Sequence, residues 1–187
     1  MIPHTDPNPS SPQKSETQES PRNVSQAQEP MHQRILLPID FSEHSKITVS
    51  YARRIALNNN STVYLLHVFQ LPDYVVTPYP SRSQNSAEVQ TQFNAAEMDA
   101  DERLRAAAQE LSESGVKTTP ILRVGYPLEE IILMANHYDV DLIVIGSHGR
   151  SRFTRLLLGS TAERVVEHAH CNVLVVKGSS CPVPEIT

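Results

Sequence analysis

Cysteine is scarce: Cys171 and Cys181 are the only two in 187 residues. Neither has a companion at CxxC distance and no Cys/His spacing repeats, which excludes a disulfide framework or a structural zinc site and points to a reducing compartment. Long apolar runs are also missing. None approaches the roughly 18 residues of a membrane span, and the N-terminus lacks the charged-then-apolar order of a signal peptide, so the expectation is a cytoplasmic protein away from membranes. Basic excess is absent too: 16 Lys and Arg against 21 Asp and Glu leave a net charge of −5. That balance offers no footprint for a phosphate backbone, and nucleic acid is not an expected partner. No Gly-Lys-Ser/Thr sequence occurs, so the lysine that clamps transferable phosphates in Walker-type enzymes is lacking.

What is present, 39% hydrophobic and 20% charged residues, suits one domain with an appendage. Residues 1–33 hold six of the fourteen prolines and little that can be buried, so they are expected to form a disordered tail, either solvated or used for docking. From Arg34 the chain alternates short apolar runs with helical stretches, the mark of strands joined by crossover helices in a parallel sheet. Strands are expected at 34–39, 62–69, 117–124, 141–145 and 172–177. Helices are expected from the Ser42 cap to the Asn58–Asn60 run, then over 87–114, 128–137 and 160–168. In the first helix Ile47, Tyr51 and Ile55 share a face; in the second, Val89, Phe93, Met98, Leu104, Ala107 and Leu111 form the apolar stripe. Pro120 places the third strand near a sheet edge. The proline-rich stretch 70–85 reads as a functional loop, and residues 179–187 as a short tail.

Ligands of open parallel sheets bind beyond the carboxyl ends of the strands, where strand order reverses. Asp40 ends the first strand there. After the fourth strand come Gly146, Gly149 and Gly159, followed by Ser160 and Thr161 opening a helix. Glycines let backbone N–H groups approach an anion, and a helix start adds its dipole and free donors. An ordinary strand-to-helix turn has the same ingredients. Arg150, Arg152 and Arg155 lie in this loop, where they would either supplement a phosphate cradle or simply be solvated. His67 reads as a packed histidine, Cys171 as a small buried hydrophobe, and His168 with His170 as a helix-end pair rather than a metal site.

The spacing Gly146-x2-Gly149-x9-Gly159-Ser160, the opening Ile35-Leu-Leu-Pro-Ile-Asp-Phe-Ser42, Leu65-Leu-His-Val68 and Gly125-Tyr-Pro127 together resemble the universal stress protein family over residues 34–178. The resemblance implies a three-layer α/β/α, Rossmann-like domain with a five-stranded parallel sheet in the order 3-2-1-4-5. It further implies the ATP-binding branch, with a homodimer formed through the last strand, Asn172 to Lys177. Carried over by position, Asp40 would hold the ribose, Pro38 would line the adenine pocket, and the backbone at Val68 would read the adenine edge. Gly146, His148, Gly149, Gly159, Ser160 and Thr161 would cradle the phosphates, with Mg²⁺ bridging phosphate oxygens. Cys171-Asn172 departs from the Cys-Pro found before the last strand in many members.

No nucleophile with a supported base is identifiable, so the expected role is nucleotide-dependent regulation in a stress response, without catalytic residues. A slow ATPase using the same pocket and a dimeric scaffold that needs no nucleotide are the alternatives. A charge at Leu174 or Val176 is expected to weaken the dimer.

Overall fold

The structure, a computed structural model, describes residues 32–70, 86–148 and 158–178. The expected N-terminal tail up to residue 31, the proline loop from 71, the glycine-loop segment carrying Gly149, Arg150, Arg152 and Arg155, and the C-terminal tail lie outside the described residues. The described chain runs β1 (Arg34–Ile39), α1 (Glu43–Asn59), β2 (Thr62–Phe69), α2 (Ser86–Glu113), β3 (Lys117–Val124), α3 (Pro127–His137), β4 (Leu142–Gly146), α4 (Ser160–His168) and β5 (Asn172–Val176). All strand pairs are parallel and the sheet order is β3-β2-β1-β4-β5.

Alternating side chains of each strand feed opposite faces. Ile35, Leu37 and Ile39 join Val63 and Leu65 under α1 and α2, whereas Leu36 and Leu66 join Ile143 and Ile145 under α3 and α4. A strand covered on both faces has no polar side to show, which is why β1 and β4 read as unbroken apolar runs. Each fully buried Leu or Ile contributes about 1.5–3 kcal/mol to holding the layers together.

Local chemistry sets the element ends. Ser42 caps α1, its Oγ accepting the Ser45 N–H at 3.3 Å, and Asn60 ends the helix in the left-handed region at φ 53°, which asparagine tolerates. Gly115, at φ +93°, does the same for α2, donating its N–H to Ser112 O at 2.9 Å. Asp141 binds the two central strands at their amino ends, its Oδ2 accepting the N–H groups of Gln33 at 2.8 Å and Arg34 at 3.1 Å. Pro120 sits on the edge strand β3, where a missing N–H is tolerated.

Three expectations are corrected. The buried face of α1 is Thr48, Ala52 and Ala56, while Tyr51 is 48% exposed and Ile47 and Ile55 only flank the core. The helix lies close to the sheet: a Cβ on Gly146 would meet Thr48 Oγ1 at 3.2 Å, so small side chains take the contact and large ones are pushed aside. On α2 the buried stripe is Ala100, Leu104, Ala108 and Leu111, with Met98 73% exposed. Val176 is 6% exposed and packs in the α1-side core, so a charge there would break the fold before it reached any edge contact.

Candidate functional site

The site arises from the way β1 and β4 part. Their ladder holds only Ile35↔Leu142 and Leu36↔Ile143, and beyond it the carboxyl ends separate. Pro38, which has no N–H to donate, lies in this opened stretch of β1 while keeping its register with Leu66 of β2. A cleft of about 760 Å³ opens there, within the usual ligand-pocket range of roughly 300–1,000 Å³. This is the point at which strand order reverses, since β1 leads one way to β2 and the chain returns on its other side as β4.

Asp40 stands at one wall. Its Oδ1 accepts the Ser45 hydroxyl at 2.6 Å and the Ser42 N–H at 3.0 Å, and its own N–H donates to Ser45 Oγ at 3.2 Å. The carboxylate is thereby fixed at the start of α1, where the helix dipole favours negative charge. The corner demands a left-handed residue, and Phe41 takes φ +61°, a conformation costing a bulky side chain of order ~1–3 kcal/mol. Packing holds it there: the Phe41 ring lies 4.3 Å from the His67 ring and 4.3 Å from the Arg103 guanidinium. His67 is buried, with Nδ1 2.8 Å from Ile39 O, so it is a packed histidine that also lines the cleft.

The facing wall is made by the end of β4 and the start of α4. Ser147 donates its N–H to Val176 O at 2.8 Å and accepts the Gly159 N–H on its carbonyl at 2.8 Å. Gly159 is the N-cap of α4 and has no side chain with which to satisfy the first-turn N–H groups, so these donors and the positive dipole end face outward toward the cleft. A Cβ on Gly159 would lie 3.1 Å from Ser147 O, which ties this close approach to glycine. His148 sits beside it with Nδ1 2.9 Å from Ser147 Oγ. Its Nε2 is buried and has no hydrogen-bond partner among the described residues.

Pro38, Asp40, Val68, Gly146, His148, Gly159, Ser160 and Thr161 all line this one cleft. Gly149 lies outside the described residues. Ser45, Ser147 and Arg103 belong to the lining as well and were not singled out from sequence. Ser45 had a local signal, a second serine three residues after a helix cap; Arg103 had none, because only the packing of α2 brings it to Phe41. Among the described residues no three His, Cys, Asp or Glu side chains gather as a metal group. Cys171, half-buried and outside the cleft lining, has its thiol pushed up by burial and, secondarily, by the Asp141 charge. Among the described residues no helix is long and apolar enough to cross a membrane.

Known proteins share both sequence and architecture with this chain. Universal stress protein MJ0531 of Methanocaldococcus jannaschii is 34% identical over 149 residues, covering 80% of this chain and 84% of its own length. Universal stress protein MJ0577 of the same organism is 30% identical over 155 residues, covering 79% and 96%. Its solved structure superposes with a TM-score of 0.69 and 31% identity over 81% of this chain and 99% of that one. A universal stress protein from Archaeoglobus fulgidus in complex with dAMP shares the fold at 22% identity, with a TM-score of 0.51 over 79% of this chain and 99% of that one. The model of the universal stress protein family matches residues 31–177, and with the β3-β2-β1-β4-β5 sheet this shows that the chain belongs to that family.

Proposed function

We propose that the cleft binds ATP and that the protein is a nucleotide-dependent regulator of the stress response, acting in the cytoplasm as a homodimer of its 34–178 domain. The carrying observation is that one crevice sets a fixed carboxylate, Asp40, against a helix start with outward donors and the buried His148 Nε2. Sugar hydroxyls need an acceptor and phosphates need donors, and the two walls supply one each. Between them Pro38, Leu66, Val68 and Ile131 form an apolar shelf for a base, whose edge the Val68 backbone would read. Gly146, Gly149, Gly159, Ser160 and Thr161 would wrap the phosphates, and Mg²⁺ would be held by phosphate oxygens and water, needing no protein cage.

Binding rather than turnover is the reading the geometry favours. Ser147 is 4% exposed and engages the Nδ1 of His148, an arrangement that orients the ring rather than presenting the Ser147 hydroxyl as a nucleophile.

Asp40→Ala is expected to weaken ATP binding roughly tenfold, about 1.4 kcal/mol by titration calorimetry. Unchanged affinity would remove the ribose role from Asp40. For the dimer, β5 is an edge strand whose outer side pairs with no other strand among the described residues, which suits pairing with a second copy. Leu174 on this strand is half-buried, and Leu174→Lys is expected to move the sedimentation boundary from dimer toward the 20.9 kDa monomer. An unmoved boundary in a folded variant would locate the interface elsewhere.

A further inference from the structure

We propose that Ser147 is a positioning residue for phosphate recognition, its hydroxyl donating to Nδ1 of His148 and thereby holding that ring in the Nε2–H form. This role rests on the nucleotide reading above and adds to it the device that selects the ligand's anionic end.

A phosphate sets the chemical requirement. Its oxygens bring only lone pairs, so an imidazole facing them must present an N–H. A neutral ring has one N–H, and which nitrogen carries it is set by the partner of the other. Here Nδ1 has Ser147 Oγ at 2.9 Å, while Nε2 is buried without a partner among the described residues. When the serine donates, Nδ1 is the acceptor and Nε2 becomes a donor with an unmet bond on a residue that lines the cleft, beside the start of α4. A buried donor left unsatisfied is costly, and an anion in the cradle relieves that cost.

Ser147 is well placed to keep this orientation rigid. Its backbone is held on both sides, through Val176 O and the Gly159 N–H, each at 2.8 Å, and the residue is 4% exposed. The hydroxyl therefore has little freedom beyond rotation about Cα–Cβ. Because the fixing bonds are backbone bonds, Ser147→Ala keeps them and deletes only the contact to the ring.

Two readouts test the role. In ¹⁵N NMR of the ligand-free protein, at a pH where the ring is neutral, His148 is expected as the Nε2–H tautomer in the wild type and as a mixture in Ser147→Ala. In calorimetry the same variant is expected to bind ATP about five- to tenfold more weakly, the worth of one hydrogen bond, with adenosine affinity unchanged. The loss should vanish in a His148→Ala background and be restored by Ser147→Thr. An Nδ1–H tautomer in the wild type overturns the proposal, as does an equal loss for adenosine and ATP, which would make the hydroxyl a support of the fold. Retained ATP binding with no effect of Ser147→Ala overturns this role alone. A wild type that binds neither ligand overturns the nucleotide reading and this role with it.

Discussion

Saturating ATP with Mg²⁺ is expected to raise the melting temperature of the nucleotide-stripped protein by roughly 5 to 10 °C, and to leave Gly159→Val unmoved. Ligand at a hundredfold over its dissociation constant adds about 2.7 kcal/mol to the folded state, and for a chain of this size each kcal/mol is worth roughly 2–4 °C. The variant fails for a steric reason. Even a lone Cβ at position 159 approaches Ser147 O to 3.1 Å, and the two further methyls of valine must enter the space between the end of β4 and the first turn of α4. That is where phosphate would meet the helix donors. The comparison is read by differential scanning fluorimetry or calorimetry, with the unliganded melting temperature of each protein as its own baseline. No shift in the wild type would sink the ATP assignment while leaving the fold intact. Equal shifts in both proteins would move the phosphates away from α4.

Leu65→Ala is expected to be strongly destabilising. Leu65 is 0% exposed and lies in the α1-side core among Ile35, Leu37 and Val63, on the strand β2 that pairs with both β1 and β3. Cutting its isobutyl side chain back to a methyl leaves a cavity walled by strands on either side, which have little room to collapse. The expected cost is about 3 to 5 kcal/mol, seen as a fall of roughly 6 to 20 °C in melting temperature. Met98→Ala, on a side chain that is 73% exposed, is the matched control and should change stability by no more than about 0.5 kcal/mol. Comparable losses in the two variants would mean that burial at Leu65 is not what holds the layers together.

Strands and element ends could be read from the residues themselves because they depend on local or repeated signals, whereas the strand order came only with the family resemblance. An apolar run at 35–37, a serine cap at Ser42, asparagine at 60 and glycine at 115 each act over a few residues. Facial assignments were less legible. Ile47 and Tyr51 offer more apolar surface than Thr48 and Ala52, yet the nearness of α1 to the sheet makes size the deciding quantity, and the smaller pair is buried. Met98 reads as core by periodicity and is solvent-facing because the buried stripe of α2 runs through Ala100, Leu104, Ala108 and Leu111.

The site divides along the same line. Asp40 and the glycines were visible as residues at strand ends with a recognised spacing. The link from Ser147 to the ring of its neighbour, the hold of Ser45 on the Asp40 carboxylate and the reach of Arg103 over Phe41 depend on orientation or on packing between distant segments. No spacing in one sequence encodes them.

The parting of β1 from β4 also bears on how the chain acquires its shape. Asp141 grips the backbone of Arg34 across 107 positions, so the central pairing of the sheet is one of long loop closure, entropically slow to nucleate. During synthesis β1, β2 and β3 can assemble first, and in that interval β1 is a bare hydrophobic edge. Only when β4 leaves the ribosome does that edge find its neighbour, and the cleft comes into being in the same event. A nucleotide bound in this cleft, as proposed, would therefore have no part in guiding the first half of folding; its influence would begin after the step at which β1 is exposed to self-association.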